Sequence, residues 1–446
     1  MANLPDYRIL DPGVERASKP ELRRLQSERL RAMVHYVYAA TPFWRRKFDA
    51  IGLKPEAIRG VEDLERIPFC TKEELLDDQE ANPPFGSYVA SHPSRWRKYL
   101  TTSGTTGTPL RRVFSGRDWE YVLAKFQRNP TLGPGDIAVV LGPMDGLMGP
   151  TASAEAAGRC GAMVVLAGLY DTRTRIRLVG ELRPTTVSGT TSYLLHMLEV
   201  AAEMGISLAE AGVRVVTCVG EPGGAVPATR KRLAEGWGAV VADGYGLTEL
   251  FPLGGGCPHR TSLHIPDDLV VTEIVDPEGD RRRVSGEPGE VVYTNLVGDT
   301  QPLLRFRTRD VARIATDERC DCGFTGTLLA ESIEGRVDDL IWYRGVNVYP
   351  PAVEAVVRGF AELTPEYQIV VEGDGALPTM TVRAEVREDV ETSELPALED
   401  RVADALRETL GVRPRVELLA RGALPRAGAR AKPGRVVDRR RTQGGA

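Results

Sequence analysis

The sequence predicts an α/β protein with a large N-terminal region and a small α+β region after it, and three observations lead to this class. First, short apolar runs are typical of buried strands, and they occur at Ile137–Leu141, Met163–Leu166 and Val213–Val219. Second, a helical pattern at Tyr193–Met204 lies between two of these runs, and such alternation indicates a parallel sheet with covering helices. Third, the spacing of apolar residues changes twice towards the C-terminal end, and each change indicates the start of a further structural unit.

The elements follow from the spacing of apolar residues. Helical spacing predicts a helix over 21–50 that is broken at Thr41, the residue before a proline. Val270–Val275 and Gly289–Asn295 alternate apolar and polar residues. We therefore expect a small β-rich subdomain over about residues 257–335.

The remaining residues predict a compact α+β unit. We accordingly divide the chain into an N-terminal domain over 1–335 and a C-terminal domain over 336–446. The elements predicted for the second domain are, in order, a helix at Pro351–Phe360, strands at Tyr367–Glu372 and Met380–Val386, a helix at Leu395–Leu410 and a strand at Arg415–Leu419.

Composition excludes several classes of protein. The 446 residues include 57 Lys and Arg against 62 Asp and Glu, and a net charge of −5 argues against nucleic acid as a partner. Six cysteines are too few for a disulfide scaffold at this length. The first residues lack the layout of a signal peptide, and the longest apolar run, Ala162–Tyr170, is too short to cross a membrane. We expect a reduced, cytoplasmic protein without a membrane partner.

The strongest local signal is the segment Thr101–Pro109, which contains six hydroxyl residues and two glycines. Glycines allow backbone N–H groups to converge on an anion, and hydroxyl groups add donors. The segment lacks the Gly-Lys-Ser/Thr sequence of a Walker A loop. It predicts either a cradle for a polyphosphate or a flexible polar loop.

Three further segments place charged residues beside glycines or aromatic rings. In Asp243–Glu249, glycines flank Tyr245, which could stack on a base, and Glu249 could hold Mg²⁺. The alternative is a surface turn. Arg305–Asp310 and Gly335–Gly345 put arginines beside aspartates, and the alternative there is a set of surface salt bridges.

The order and spacing of these motifs are more specific than any one of them. Over about residues 22–439 the chain resembles the adenylate-forming (acyl-CoA synthetase) superfamily and, within it, the phenylacetate–CoA ligase family. Further segments that carry the resemblance are Pro42–Phe48, Ile67–Lys72, Thr191–Tyr193, Gly220–Pro222, Leu263–Ile265 and Arg344–Pro350. The resemblance implies a large adenylate-forming N-terminal domain of several subdomains and a small, mobile C-terminal domain.

Two half-reactions at one site are implied by the resemblance. The carboxylate of a small aromatic acid attacks the α-phosphorus of MgATP, which gives an acyl-adenylate and pyrophosphate. The thiol of coenzyme A then displaces AMP. The C-terminal domain rotates between the two steps.

The family's binding residues carry over by motif position. The resemblance implies that ATP or AMP is bound by Ser103, Gly104, Thr105, Thr106, Gly107, Gly220, Glu221, Pro222, Asp243, Gly244, Tyr245, Asp310 and Arg336. Within this set, Asp310 would accept both ribose hydroxyls. Thr248 would contact the α-phosphate and Glu249 the Mg²⁺ ion.

Four assignments concern the C-terminal domain and its hinge. Lys432 matches the adenylation lysine, because Arg435–Asp438 follows it at the family's spacing. Its ammonium would bridge the substrate carboxylate and the α-phosphate, where charge develops. Asp338 resembles the hinge residue, and Arg344 and Gly345 would face the pantetheine arm of coenzyme A.

Three cysteines and a histidine indicate a metal site. Cys257, His264, Cys320 and Cys322 make a tetrahedral zinc set, and a Cys/His cluster at these positions binds zinc in some members of the resembled family. We expect a structural Zn²⁺, because four protein ligands leave no open position. Free thiols beside a core histidine are the alternative, and His259 is an alternative ligand.

The chain departs from the family pattern around the acid. Thr108 stands where the family usually has lysine, and Val219 and Gly223 stand where phenylacetate ligases have glycine and tryptophan. Asp145 lies in the segment that would line the acid pocket. We expect Asp145 and Val219 to select a compact aromatic acid that bears an amino or hydroxyl group. The alternative is that Asp145 points to solvent.

The sequence leaves more than one acceptor of the acyl group possible. An aryl-acid CoA ligase that forms AMP is the leading hypothesis. The alternative is adenylation of an acid, or of nitrite, with transfer to a carrier-protein thiol or an amine in a biosynthetic pathway of secondary metabolism. A nucleotide-binding scaffold is disfavoured by the presence of Lys432, Glu249 and Asp310. For the assembly we expect a monomer or a homodimer.

Overall fold

The computed structural model describes residues 11–102, 108–127, 132–221, 223–257, 260–317, 319–343, 346–373, 379–425 and 435–440. Within these ranges, an eleven-stranded sheet forms the centre of the N-terminal part and a separate four-stranded sheet forms the C-terminal part. The predicted α/β class is confirmed. Among the same residues, no helix has both the length and the apolar character needed to cross a membrane.

Helices come first in the chain. They are α1 (Pro12–Glu15), α2 (Lys19–Ala40), α3 (Pro42–Ala50) and α4 (Lys72–Ala81), with 3₁₀ turns at Pro55–Ala57, Val61–Arg66 and Pro93–Arg95. α2 begins at a capping box in which Ser18 and Glu21 each bind the other's backbone N–H group. Thr41 ends α2 and caps α3, so the predicted break is confirmed. A hairpin of β1 (Trp96–Thr101) and β2 (Arg111–Ser115) follows.

Five parallel strands form one half of the large sheet. They are β3 (Ile137–Val140), β4 (Met163–Leu166), β5 (Thr186–Gly189), β6 (Val215–Val219) and β7 (Val240–Leu247), in the spatial order β4-β3-β5-β6-β7. Their helices are α5 (Gly116–Gln127), α6 (Met148–Arg159), α7 (Thr172–Leu182), α8 (Thr191–Glu203) and α9 (Pro227–Trp237), with a 3₁₀ turn at Leu208–Ala211. The prediction that β4 is buried is wrong. β4 lies at the edge of the sheet, which leaves Met163 and Leu166 half exposed.

Six antiparallel strands continue the same sheet. They are β8 (Phe251–Cys257), β9 (Arg260–His264), β10 (Val270–Val275), β11 (Gly289–Asn295), β12 (Phe306–Ile314) and β13 (Leu328–Arg336). β8 pairs with β7, and the order onwards is β9-β13-β12-β11-β10. The predicted β-rich segment therefore has no sheet of its own in the described residues.

The strands β10 and β11 are buried on both faces, although their alternating sequences predict one polar face. Apolar side chains of both strands pack with α2 in one core. On the polar side, Glu273 of β10 binds the guanidinium of Arg305, and Glu290 of β11 binds that of Arg307. Buried carboxylates persist where they are paired in this way, so polar residues occupy a covered face.

The C-terminal part has its own core. Its elements are β14 (Ile341–Tyr343), β15 (Val346–Val348), α10 (Pro350–Gly359), β16 (Leu363–Glu372), β17 (Thr379–Val386), a 3₁₀ turn at Thr392–Glu394, α11 (Leu395–Leu410), β18 (Arg415–Leu419) and β19 (Val436–Asp438). The four-stranded order is β18-β17-β16-β19. The predicted helices and strands of this unit are confirmed to within a few residues. The exact division of the chain at 335/336 stays a prediction.

Candidate active site

The predicted nucleotide residues lie where the two halves of the large sheet meet. β7 pairs in parallel with β6 and antiparallel with β8. The predicted segment begins at Asp243 within β7, and the turn after the strand carries Thr248 and Glu249. Gly220 and Glu221 follow the carboxyl end of β6, and the carboxyl ends of parallel strands open at one edge of a sheet. The predicted residues that follow β6 and β7 therefore lie at the same edge of the sheet.

Asp310 is the centre of a polar network at this edge. Its Oδ2 atom accepts a hydrogen bond from the Tyr245 hydroxyl at 2.7 Å, and its Oδ1 atom accepts one from the Arg336 guanidinium at 2.8 Å. β12 and β13 place Asp310 directly opposite Arg336, so their contact follows from strand register. Arg336 and Arg309 both donate to the Asp338 carboxylate, at 3.3 and 2.9 Å. The structure thus joins the residues predicted for adenine, ribose and hinge.

Burial alters the acid–base properties of this edge. The Asp243 carboxylate accepts a hydrogen bond from the Ser332 hydroxyl, and burial raises its pKa to about 6. Burial also raises the pKa of Tyr245 well above its ordinary value, and the nearby Asp310 carboxylate adds to this shift. Tyr245 is therefore a phenol, and a hydrogen-bond donor, at neutral pH.

Two carboxylates at the edge are held by donors of the protein. Glu249, which is buried, lies with its Oε1 atom 3.0 Å from Nζ of Lys72. Lys72 is the first residue of α4, where the Thr71 capping box fixes the backbone. Glu221 accepts a hydrogen bond from the backbone N–H of Ser192 at the start of α8. Each carboxylate is thereby fixed before any ligand binds.

A cavity of about 160 Å³ lies between the parallel strands and the helices α5 and α6. Val219 and Gly244 line it side by side, which supports the prediction that Val219 shapes a pocket. Asp145 lies in the loop between β3 and α6, is exposed, and is not among the described lining residues. Its exposure matches the solvent-facing alternative and gives no support to a role in a buried acid pocket.

The four predicted zinc ligands converge. The ligand atoms of Cys257, His264, Cys320 and Cys322 all lie within 4.8 Å of one another. The Sγ atoms of Cys257 and Cys320 are 3.6 Å apart, and Cys322 Sγ is 3.8 Å from His264 Nε2. Zn–S bonds of about 2.3 Å in tetrahedral geometry place two sulfur ligands about 3.8 Å apart, so the cluster fits this ion.

The local fold explains why the ligands meet. Cys257 ends β8, and the pairing of β8 with β9 brings His264 across from Gly255. Cys320 and Cys322 lie in the loop between β12 and β13, where Gly323 has a φ of +94° that permits the turn. The His264 ring stacks on Phe324 with ring centroids 4.3 Å apart.

Comparisons with known proteins identify the family of the chain. The AMP-binding enzyme family matches residues 22–295, and the AMP-binding enzyme C-terminal domain matches residues 345–440. A phenylacetate–coenzyme A ligase of Thermus thermophilus is 34% identical over 97% of this chain and 100% of its own. One of Escherichia coli is 30% identical over 98% of each chain. The chain belongs to the phenylacetate–coenzyme A ligase family.

A solved structure of another ligase indicates the domain arrangement of this phenylacetate–CoA ligase family member. The 2-hydroxyisobutyryl-CoA ligase in its postadenylation state, in complex with R3-HIB-AMP, is 29% identical, covers 96% of this chain and 92% of its own, and has a TM-score of 0.90. In the thioesterification state, the same ligase has a TM-score of 0.71. The present structure is therefore more similar to the postadenylation state of that ligase than to its thioesterification state.

Several predicted residues of the family member lie outside the described ranges, and their roles stay predictions. They are Ser103, Gly104, Thr105, Thr106, Gly107, Pro222, Arg344, Gly345 and Lys432.

Sequence reasoning missed three residues of the site. Lys72 lies in a recognised segment, yet no local pattern indicates that it reaches Glu249. Ser332 of β13 donates to Asp243 of β7, and Arg309 of β12 donates to Asp338 after β13, and both contacts depend on the arrangement of distant strands in the folded sheet.

Proposed function

We propose that this family member joins a small aromatic carboxylic acid to coenzyme A and forms AMP. A carboxylate oxygen of the acid attacks the α-phosphorus of ATP, the bond from that phosphorus to the bridging oxygen of the β-phosphate breaks, and pyrophosphate leaves. The thiolate of coenzyme A then attacks the acyl carbon and AMP leaves. The thiol proton is released to solvent.

The Asp310 network carries the proposal. Tyr245 and Arg336 fix the two carboxylate oxygens of Asp310 at the edge where both half-reactions would take place. A carboxylate oxygen can accept more than one hydrogen bond, so two oxygens fixed in this way suit the two adjacent hydroxyls of a ribose. The ring of Tyr245 lies beside this group and suits an adenine face.

Glu249 suits the Mg²⁺ ion that ATP brings. Mg²⁺ takes one or two carboxylates together with phosphate oxygens, and Glu249 is a buried carboxylate at the same edge. In the present structure its partner is the ammonium of Lys72. On binding, the Mg²⁺ ion would replace that ammonium as the counter-charge.

An ATP–pyrophosphate exchange screen over small aryl, heteroaryl and aliphatic acids tests the proposal, with acid-free reactions as the baseline. We expect exchange with at least one monocyclic aryl acid, and consumption of coenzyme A with AMP release for the same acid. The absence of exchange with every acid would contradict adenylation. Exchange without consumption of coenzyme A would instead point to a carrier-protein thiol or an amine as the acceptor.

We also propose that Cys257, His264, Cys320 and Cys322 hold a structural Zn²⁺ ion. The mutual distances of the four ligand atoms and the low exposure of Cys257 and Cys320 support this ligand set. Four protein ligands leave no site for substrate, so the ion would stabilise the loop rather than react. Metal analysis of freshly purified protein tests it. About one zinc per chain is expected, and zinc-free protein with full activity would exclude it.

A further inference from the structure

Tyr193 lies in one of the segments that carry the family resemblance, and the Asp310 network gives it no role. It is buried in the first turn of α8, and the guanidinium of Arg175 on α7 lies over its ring, with 4.9 Å between Cζ and the ring centroid. The Tyr193 hydroxyl is 3.1 Å from Oγ1 of Thr172, at the start of α7. Tyr193 therefore belongs to a contact between α7 and α8 that fixes the Arg175 side chain.

Arg175 binds two main-chain carbonyls from this fixed position. Its Nε atom donates to the carbonyl of Ala167 at 2.8 Å, and its Nη2 atom donates to the carbonyl of Gly168 at 2.8 Å. The residue is 1% exposed. Because burial of a cation costs free energy, an arginine at this position indicates a specific need for its rigid set of donors. The donors hold the loop that follows β4.

The loop after β4 lies directly against the loop after β3. A Cβ atom at Gly168 would lie 2.6 Å from the carbonyl oxygen of Gly142 and 2.9 Å from Cα of Pro143, and both are main-chain atoms. The N–H group of Ala167 donates to the carbonyl of Val140, the last residue of β3. A side chain that fixes Ala167 and Gly168 therefore also fixes the start of the loop over residues 141–147.

The loop over residues 141–147 borders the active-site edge. It follows the carboxyl end of β3, which runs parallel to β5, as β5 does to β6, so their carboxyl ends open at one edge. The carbonyl of Gly146 accepts a hydrogen bond of 2.9 Å from the backbone N–H of Thr101, the first residue of the predicted polyphosphate segment. An acid that attacks the α-phosphorus must approach beside this segment, so the loop suits a wall of the acid site.

We propose that Arg175 is a positioning residue for the acid. Held by Tyr193, it fixes the loop after β4, and that loop fixes the wall over residues 141–147. The inference rests on the proposed function. Tyr245 and Asp310, which suit the nucleoside, lie on β7 and β12, so the loss of Arg175 should affect the acid rather than ATP.

The test measures KM for the acid and KM for ATP by ATP–pyrophosphate exchange. The acid is the one that wild type exchanges fastest among benzoate, phenylacetate and their hydroxy and amino derivatives. In Arg175→Met both donors to the loop are lost, and misplacement of a binding group by about 1 Å can cost about 100-fold. We expect kcat/KM for the acid to fall by about 10- to 100-fold, chiefly through KM, while KM for ATP stays within about twofold.

Two variants of the same helix serve as references. Arg175→Lys keeps the charge but cannot bind both carbonyls with the same geometry, so it should recover part of the loss. Arg177→Met, at an exposed position of α7, is the matched control and should behave as wild type.

Gly168→Ala tests the contact between the loops without a change at the arginine. Its methyl group would press on the main chain of Gly142 and Pro143, and we expect KM for the acid to rise by about 10-fold or more. Gly180→Ala is the matched control, because a Cβ atom at this position of α7 has no neighbour within 4 Å.

The outcomes separate the possibilities. An unchanged KM for the acid in folded Arg175→Met would overturn the role of Arg175, and so would an equal rise in KM for the acid and for ATP. If Arg175→Met does not fold, Gly168→Ala decides, and an unchanged KM for the acid in that variant would show that the loop contact does not position the acid site. A lack of exchange with any acid in wild type would overturn the proposed function, and the inference with it.

Discussion

Asp243 couples its ionisation to the folding of the chain. Burial raises the pKa of this carboxyl from the ordinary 3.8 to about 6, although the hydrogen bond from Ser332 acts in the opposite direction. Between about pH 4 and 6 the folded state therefore holds a proton that the unfolded state has lost. The stability that this group contributes is fully present below about pH 4 and is lost as the pH rises through 6.

Asp243→Asn should remove this dependence. Relative to the variant, wild type should lose about 3 kcal/mol of unfolding free energy between pH 4 and 7, because a shift of about two pKa units corresponds to that difference. Urea unfolding at several pH values measures it. Asp145→Asn, at an exposed aspartate, is the control and should parallel wild type. If the unfolding free energy of Asp243→Asn changed with pH in parallel with that of wild type, the carboxyl would not take up a proton on folding.

Lys432 is expected to act in one half-reaction only. In Lys432→Ala, adenylation should fall by about 100-fold or more, because the charge that stabilises the developing negative charge is lost. Thioester formation from supplied acyl-adenylate should stay within a few-fold of wild type. Rapid-quench assays of each half-reaction measure the two rates, with Lys231→Ala as the control. Near-normal adenylation in Lys432→Ala would reject this assignment.

At the scale of elements, the proposed zinc site would link β8 and β9, which carry Cys257 and His264, to the loop between β12 and β13, which carries Cys320 and Cys322. Cys257→Ser should lower the zinc content and reduce Tm by roughly 5–10 °C, since loss of a structural ion costs several kcal/mol. Chelation of wild type should have the same effect. Cys160→Ser, at a half-buried cysteine outside the cluster, is the control. An unchanged Tm in chelated protein would contradict a structural role.

The sequence predicts elements well where the signal is local. The Asp243–Glu249 segment is recognisable because its residues are contiguous, and the cluster is recognisable because its ligands form two closely spaced pairs, Cys257 with His264 and Cys320 with Cys322. The bounds of β10 and β11 are also predicted, but their burial on both faces is not, because Glu273 and Glu290 are compensated by Arg305 and Arg307, which are distant in sequence. The contact between Lys72 and Glu249 is equally non-local, since α4 and the turn after β7 meet only in the folded chain.

At the scale of the whole molecule, several contacts among the described residues join the N-terminal and C-terminal parts, including an ion pair of Arg421 with Glu203 and a buried contact of Arg358. NH1 of Arg358, on α10, lies 3.1 Å from Oγ1 of Thr229, on α9, and the same guanidinium binds Glu354. A Cβ atom at Gly223 would lie 2.6 Å from Glu354 Oε1, so the glycine allows this close approach. The arrangement of the two parts in this structure therefore includes a buried hydrogen bond from a charged side chain.

Thr229→Val should loosen this arrangement. The variant keeps the shape of the side chain and the pair of Arg358 with Glu354, but it removes the acceptor across the interface. Loss of that bond should lower adenylation relative to thioester formation by about 5- to 30-fold. Separate half-reaction assays and limited proteolysis of the linker after β13 measure the change. Thr229→Ser should behave as wild type, and an equal change in both half-reactions would contradict the expectation.

The continuity of the large sheet limits where the chain can be divided. The edge of the sheet that carries the predicted nucleotide residues includes β7. Gly244 and Tyr245 of β7 pair with Gly255 and Gly254 of β8. A fragment that stops before β8 would expose the unpaired edge of β7, and such an edge invites association with other chains. It would also lack Asp310. Attempts to express the ligase as two separate pieces, or to exchange the β-rich segment with that of a relative, should therefore give aggregated protein unless the exchange includes β7.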